Sequence, residues 1–214
     1  MTDSQVDLIA NKVASLLNPG QSPGQVQAPT VPDLGQASPG RYGVFPTVDQ
    51  AVKATRKAYE ALNGLTLEQR SIIIESIRAK MRIHGEDLAR KAFEETGMGR
   101  FEDKILKNRL VTDKTEGPEA LIPKALSGDR GLTLTEWAPY GVIGSITPST
   151  NPTSTIICNT IGMLAAGNGV VFNVHPMAKD VSNLNVELLN EAIMEAGGPP
   201  NLVTTIASPS IQSA

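Results

Sequence analysis

Three short segments of small and polar residues are the places where this chain could do chemistry on a ligand. They are residues 147–151, 173–176 and 207–210, and each directly follows an apolar run of strand length. In an open parallel sheet the ligand binds beyond the carboxyl ends of the strands, so residues at these points would line a cleft. The candidate binding residues are Thr147, Pro148, Ser149, Thr150, Asn151, Asn173, His175, Pro176, Ala207 and Pro209.

The first of these segments leads directly into a predicted helix. Pro152 suits the first helical position, where its missing N–H costs nothing, and Thr150 or Asn151 then serves as the cap. Free backbone N–H groups and the positive end of the helix dipole stabilise an anion there, either a pyrophosphate or a developing oxyanion. A neutral helix start has the same pattern, so both interpretations stay open at this point.

The other side chains that could react or bind a metal have simpler interpretations. Cys158 lies among apolar residues of the predicted helix and favours a small buried hydrophobe over a reactive thiolate. His84 precedes a glycine and favours a solvated or capping role, and His175 is a loop residue or a ligand contact. With one Cys and two His, we expect no metal site. A solvated face with helix-spaced ion pairs is predicted for Glu94, Glu95, Arg100, Glu102, Asp103 and Lys104.

Alternating strands and helices must position the three segments. Apolar runs and helical periodicity alternate as βαβαβ, which predicts a parallel sheet with right-handed crossovers. The predicted strands and helices occupy residues 140–146, 152–166, 169–174, 178–196 and 202–206.

A helical layer and an extended segment precede this unit. Capping-box spacing at Thr47 with Gln50, and at Thr66 with Gln69, marks two helix starts. These helices are predicted to end near Gly64 and Gly85. Two more helices are predicted at residues 86–96 and 100–115, and alternation near 123–138 predicts a hairpin or extended segment with a loop at 127–131.

The first 41 residues differ in composition and hydrophobic pattern from the rest of the chain. Residues 3–17 carry one apolar stripe at helical spacing, which predicts a short docking helix within 1–18; the stripe is Val6, Ile9, Ala10, Val13, Leu16 and Leu17. Half of residues 19–40 are Pro, Gly or Ser, which predicts a flexible linker over 19–41. The folded body is predicted at 42–214, and the stripe needs a partner to cover it.

Composition excludes several classes of function. The 214 residues carry a net charge of −3 and are 4% aromatic, which argues against nucleic-acid binding. Neither a GxGxxG fingerprint nor a Walker A loop is present. The polar start and the lack of an apolar run of roughly 18 residues predict a cytoplasmic protein with no membrane partner.

Two motifs carry a resemblance to a known family. The segments ETGMGRFEDK at 95–104 and ITPSTNPTSTIICNTIGMLAAGNGVVFNVHP at 146–176 resemble the CoA-acylating aldehyde dehydrogenases, in particular the microcompartment propionaldehyde and acetaldehyde enzymes. The resemblance implies an aldehyde-dehydrogenase-like α/β fold, with a partial Rossmann-type parallel sheet and oligomerisation strands near 123–138. It implies that a short aldehyde adds to a Cys thiolate, that hydride passes to NAD, and that the acyl group passes to coenzyme A.

The same resemblance assigns residues and partners. Asn151 is the expected oxyanion donor, although general aldehyde dehydrogenases place their Asn where this chain has Thr150, so the two remain alternatives. The general superfamily has Lys and Glu where this chain has Asn173 and Pro176. A carboxylate there would repel the 3′-phosphate of CoA, so its absence fits one adenosine site used by NAD and then by CoA, with His175 or Lys179 near the phosphate.

The resemblance also carries expectations about the whole enzyme. Residues 1–41 are similar to an encapsulation peptide and its linker, which implies docking of 3–17 on microcompartment shell proteins. Family members continue well past 214 residues and form homo-oligomers, and Cys158 does not align with the family nucleophile. We therefore expect the 214-residue chain, as an N-terminal portion, to be inactive alone. The alternative is an interaction module whose working part is the N-terminal helix and whose body is cargo.

Overall fold

A computed structural model of the chain describes residues 42–213. The predicted docking helix and linker lie outside these residues, and the described residues all belong to one structural unit, 32–214. In chain order the elements are β1 (Val44–Phe45), α1 (Val48–Leu62), α2 (Leu67–Thr96), α3 (Phe101–Lys114), β2 (Lys124–Gly128), β3 (Gly131–Thr135), β4 (Val142–Thr147), α4 (Pro152–Ala165), β5 (Gly169–Val174), α5 (Lys179–Glu195) and β6 (Val203–Ile206).

The predicted βαβαβ unit is confirmed. Strands β4, β5 and β6 are parallel neighbours, with α4 and α5 as the connections between them. The sequence did not reveal β1, which pairs in parallel with β6 and extends the order to β1-β6-β5-β4. A strand of two residues is too short for alternation to be visible, so only the pairing with β6 defines it.

Helices cover both faces of this sheet. On one face, Thr55 of α1 shares a hydrogen bond of 2.7 Å with Thr204 of β6. On the other face, Asn159 of α4 donates to Ser145 Oγ of β4 at 3.1 Å. Helices α2, α4 and α5 pack against one another beyond that second face. The core is the set of apolar side chains between these layers, and its largest fully buried members include Phe172, Ile74, Ile77, Met81, Ile157, Ile161, Leu164 and Leu189.

In the helical layer, the predicted helix start at Thr66 is confirmed, but the predicted helix end near Gly85 is not observed. Thr66 and Gln69 form the predicted capping box, with Gln69 N donating to Thr66 Oγ1 at 3.2 Å and Thr66 N donating to Gln69 Oε1 at 2.9 Å. The predicted stop near Gly85 is wrong, because α2 runs unbroken to Thr96 and ends at Gly97 with a φ of +64°. His84 therefore lies inside a helix and caps nothing.

Packing explains the continuous helix. Met81 and Leu88 on either side of Gly85 are fully buried, and Asn108 Nδ2 of α3 donates to the Gly85 carbonyl oxygen at 2.8 Å. A glycine inside a helix costs about 1 kcal/mol relative to alanine, which is less than the burial of two large apolar side chains contributes. Tertiary contacts thus override the local stop signal.

The predicted hairpin is present and leaves its apolar side chains uncovered. Strands β2 and β3 pair antiparallel from Lys124 with Thr135 to Gly128 with Gly131, so the turn is shorter than the predicted loop at 127–131. All ten strand residues are exposed, and Leu126 and Leu132 are each 70% exposed. A two-stranded hairpin is marginal alone, so this one is suited to packing against another surface.

The side chain of Asn190, on α5, links its own helix to strand β6 and to the residues just before β6. Its side chain is fully buried, and Nδ2 donates to the Val203 carbonyl oxygen at 2.6 Å and to the Val186 carbonyl oxygen at 3.0 Å. Its Oδ1 accepts from Asn201 N at 2.9 Å, and Asn201 Oδ1 accepts from Gly43 N at 3.1 Å. This network holds the β1 end of the sheet.

Substitution Asn190→Ala is therefore expected to destabilise the fold by about 3 kcal/mol, because buried backbone groups lose their partners. Chemical denaturation of the 214-residue chain measures the change. Asn63→Ala at the exposed end of α1 is the control, with an expected change within about 0.5 kcal/mol. Equal stability of the two variants would contradict the structural role of Asn190.

Candidate functional site

The three predicted ligand segments lie at one edge of the sheet. Because β4, β5 and β6 are parallel neighbours, the residues that follow them share the carboxyl edge. A hydrogen bond joins the second and third segments, since Asn173 Nδ2 donates to the Ser210 carbonyl oxygen at 3.5 Å. Just beyond the third segment, Ser213 Oγ donates to Asn173 Oδ1 at 2.9 Å. The topology thus brings the candidate residues to the same end of the fold.

Side chains of the first loop, residues 147–151, alternate between interior and surface. Thr147 is 2% exposed, and its Oγ1 has no hydrogen-bond partner among the described residues. Ser149 is also buried, and its Oγ contacts Met98 Sδ at 3.5 Å. Pro148 and Thr150 face the surface.

Asn151 is the N-cap residue of α4, but its side chain does not cap the helix. With φ −135° and ψ 53°, it makes no side-chain bond to the backbone N–H groups of the first turn. Its Oδ1 accepts a hydrogen bond from Lys107 Nζ at 3.0 Å, and its Nδ2 contacts Thr150 Oγ1 at 3.4 Å. The N-terminus of α4 therefore keeps its backbone donors free of the capping side chain that most helices use.

Two lysines of α3 contact this loop, and sequence reasoning missed them. Lys104 is 6% exposed, and its Nζ donates to the Thr150 carbonyl oxygen at 3.0 Å. Burial, followed by the neighbouring charge of Lys107, lowers the pKa of Lys104. The prediction that Lys104 belongs to a solvated face is therefore wrong. No periodicity in the sequence reports which residues of a distant loop a lysine reaches.

Glu95 also departs from the predicted solvated face. Its carboxylate accepts hydrogen bonds from the backbone N–H of Asp180 at 2.9 Å and of Val181 at 2.8 Å, in the first turn of α5. An acidic group at a helix N-terminus is stabilising. Glu95 therefore occupies backbone N–H groups of α5 that an external anion would otherwise bind. A phosphate near the second loop, residues 173–176, would therefore depend on side chains.

The second and third loops carry the remaining candidates. His175 is exposed, and its Nδ1 accepts from Met177 N at 3.2 Å, which places the ring at the start of a 3-10 turn, Pro176–Ala178. Asn173 is half-buried and Pro176 is exposed. Ala207 is fixed by its backbone, since its N–H donates to the Phe45 carbonyl oxygen at 2.8 Å, and Pro209 is buried.

A cavity of about 350 Å³ opens on the α1 face of the sheet beside these loops. It is apolar along the strands, with Ile146, Val171 and Ile206, and polar at the loop end, with Asn173 and Ser213. Arg56 of α1 also contributes, and within residues 42–213 no carboxylate lines the cavity. An apolar wall with a few polar groups and no negative charge fits a nucleotide that carries phosphates.

Cys158 lies inside α4 and is half-buried, and in the sequence it belongs to none of the three loops. Among residues 42–213 there is no group of three or more His, Cys, Asp or Glu side chains that could hold a metal ion. In the same part of the chain, no helix combines the length and apolar content that a bilayer span needs.

A parallel α/β sheet with its polar loops gathered at the carboxyl edge defines the class, which is a Rossmann-type α/β fold. The chain belongs to the aldehyde dehydrogenase family, whose sequence profile, described as "Aldehyde dehydrogenase family", matches residues 44–213.

Individual relatives narrow the comparison to CoA-acylating members. The chain is 48% identical over 182 residues to the acetaldehyde dehydrogenase (acetylating) EutE of Escherichia coli, an alignment that covers 85% of this chain and 38% of that protein. It is 40% identical to a propanal dehydrogenase (CoA-propanoylating) of Salmonella typhimurium, over 100% of this chain and 44% of the relative.

A solved structure agrees in fold as well as in sequence. The propionaldehyde dehydrogenase from the Clostridium phytofermentans fucose utilisation bacterial microcompartment superposes with a TM-score of 0.79 at 53% identity, covering 80% of this chain and 40% of that one. This chain thus spans about two fifths of the length of the relatives that it matches.

Proposed function

We propose that this chain contributes the first part of the cofactor site and the oxyanion donor of a CoA-acylating aldehyde dehydrogenase. The reaction is the oxidation of a short aldehyde, acetaldehyde or propionaldehyde, to its acyl-CoA with NAD as the oxidant. The observation that carries the proposal is Asn151, whose amide stands at the uncapped N-terminus of α4 in a chain 48% identical to an acetylating acetaldehyde dehydrogenase.

The residues of the carboxyl edge fit a nucleotide cofactor. Asn173, His175 and Pro176 would contact the adenosine part, with Ala207 and Pro209 beside them, and the backbone of residues 147–149 would border the cleft. When bound, NAD supplies the acceptor for hydride. Coenzyme A shares the adenosine part, and the exposed His175 and Lys179 would meet its 3′-phosphate beside Pro176, which carries no carboxylate.

The oxyanion role follows from the polarity of the first loop. As a nucleophile adds to an aldehyde, negative charge develops on the carbonyl oxygen, and preorganised donors lower the energy of that state. Asn151 Nδ2 and the backbone N–H groups of the first α4 turn provide such donors. Cys158 cannot be the nucleophile in this arrangement, because its thiol sits within α4 rather than at the loop.

Two further surfaces bear on partners and location. Residues 3–17 would dock on microcompartment shell proteins, which would place the protein inside a bacterial microcompartment in the cytoplasm. The β2–β3 hairpin, with its exposed leucines Leu126, Leu132 and Leu134, would pack against another copy in a homo-oligomer. The alternative function, an interaction module with an inert body, is supported only by the N-terminal stripe.

A chimera tests the proposed activity. Residues 44–213 of this chain replace the aligned segment of the Escherichia coli enzyme, and NADH formation is followed with acetaldehyde or propionaldehyde and CoA. We expect the chimera to form NADH, and its Cys158→Ser variant to keep that activity. The 214-residue polypeptide alone is expected to form none, because it offers no thiol at the loop.

The unaltered Escherichia coli enzyme is the positive control. A folded chimera that forms no acyl-CoA would overturn the proposed function. Turnover by the 214-residue polypeptide that disappears in Cys158→Ser would instead show that Cys158 is a nucleophile.

A further inference from the structure

Helix α3 is held firmly against the helices around the first loop. Asn108 Nδ2 donates to the Gly85 carbonyl oxygen of α2 at 2.8 Å, and Asn108 Oδ1 accepts from Thr153 Oγ1 of α4 at 2.9 Å. Asn108 is 1% exposed, so both bonds lie away from solvent. Buried and satisfied hydrogen bonds of this kind fix one arrangement of the elements they join.

Two lysines, one helical turn apart on α3, reach consecutive residues of the loop. Lys104 Nζ donates to the carbonyl oxygen of Thr150, and Lys107 Nζ donates to the side-chain oxygen of Asn151, each at 3.0 Å. Neither lysine forms an ion pair with a carboxylate in residues 42–213. Their positive charges are therefore directed to the loop.

An ammonium group can only donate, so its contact determines which end of the Asn151 amide faces α3. The oxygen is held by Lys107, and the NH₂ group must then point away from that lysine. A charged donor on the amide oxygen also draws electron density from the nitrogen and makes its N–H groups better donors. Thr150 Oγ1 is on the accepting side of its contact with Asn151 Nδ2.

We infer that Lys107 is a positioning residue that orients the Asn151 amide so that its N–H groups serve as the oxyanion donor, while Lys104 holds the loop through the Thr150 carbonyl. The inference rests on the proposed function for its catalytic meaning. It assigns the donor role to Asn151 rather than to Thr150.

Nuclear magnetic resonance on the 214-residue chain tests the contact without relying on turnover. In carbon-detected spectra, the side-chain carbonyl of Asn151 is expected to shift in Lys107→Met, because its oxygen loses a charged hydrogen-bond donor. Lys107→Arg keeps a positively charged donor at the same position and should leave the signal close to its original position. Arg109→Met removes a charge from an exposed site on the same helix and is the matched control, which should leave the Asn151 signal unchanged.

Kinetics of the chimera test the consequence. Lys107→Met is expected to lower kcat by about tenfold to a hundredfold with little change in the KM for aldehyde, since misplacing a catalytic group by about 1 Å has an effect of this size. Lys107→Arg should restore most of the rate, and Arg109→Met removes the same charge from an exposed site on α3 and should have no effect.

An Asn151 signal unaffected by Lys107→Met, or a Lys107→Met chimera with unchanged kcat, would overturn the inference and leave the proposed function standing. An inactive parent chimera, together with an Asn151 signal that shifts in Lys107→Met of the 214-residue chain, would do the reverse. The two failures are therefore distinguishable.

Discussion

Asn151→Ala in the chimera is expected to lower kcat for aldehyde oxidation by about a hundredfold to a thousandfold, the usual effect of removing one oxyanion donor. The amide makes no bond to the backbone of α4, so the fold loses little with it. The substrate gains negative charge on its oxygen only during the reaction, which is why kcat should fall more than KM rises. Initial rates of NADH formation at saturating CoA give both constants.

Thr150→Val is the matched control for Asn151→Ala. It removes the neighbouring hydroxyl, keeps the β-branched shape, and leaves the Thr150 carbonyl that Lys104 contacts. A small loss is expected, because Thr150 Oγ1 accepts from Asn151 in the structure and has only that weak contact at 3.4 Å to give up. A large loss for Thr150→Val with a small one for Asn151→Ala would assign the oxyanion role to Thr150.

The parallel βαβαβ unit could be predicted because local patterns and topology rules agree. Apolar runs separated by helical periodicity permit few arrangements of β4, β5 and β6, since parallel neighbours require right-handed crossovers. Capping residues such as Thr66 and Gln69 act within one turn, so their effect is readable from the sequence. Strand β1 and the continuity of α2 depend on distant partners, and for that reason they were not visible.

The candidate site likewise has parts that local sequence patterns predict and parts that depend on distant contacts. The position of residues 147–151, 173–176 and 207–210 at one edge of the sheet was predictable, because each segment follows a parallel strand. Their supports were not: Lys104, Lys107 and Glu95 lie on helices that precede the sheet, and their contacts span more than forty residues of chain. Charge patterns within α3 suggested only local ion pairs.

The motif ETGMGRFEDK connects the helices that precede the sheet with the loops at its edge. At its start, Glu95 satisfies the first turn of α5; in its middle, Met98 contacts Ser149; at its end, Lys104 holds Thr150. A segment that reads as a charged surface turn thus contacts the first loop and the helix that follows the second.

Removing the apolar stripe of residues 3–17 is expected to abolish packaging of the protein with shell proteins while leaving the body intact. Ile9→Asp is a sharper test than deletion, because it puts a charge in the centre of the stripe. Burying one large apolar side chain contributes roughly 2 to 3 kcal/mol, so losing it lowers the packaged fraction by more than about tenfold. Co-purification with assembled shells, measured by immunoblot, reports that fraction.

Asn11→Asp provides the matched control, since it adds the same charge two residues further along the predicted helix, which is 200° around the axis and outside the stripe. We expect Asn11→Asp to package normally, because its side chain would face solvent in the docked state. Equal packaging of both variants would mean that the stripe is not the docking surface. Equal loss would mean that net charge governs packaging, since both substitutions add one negative charge.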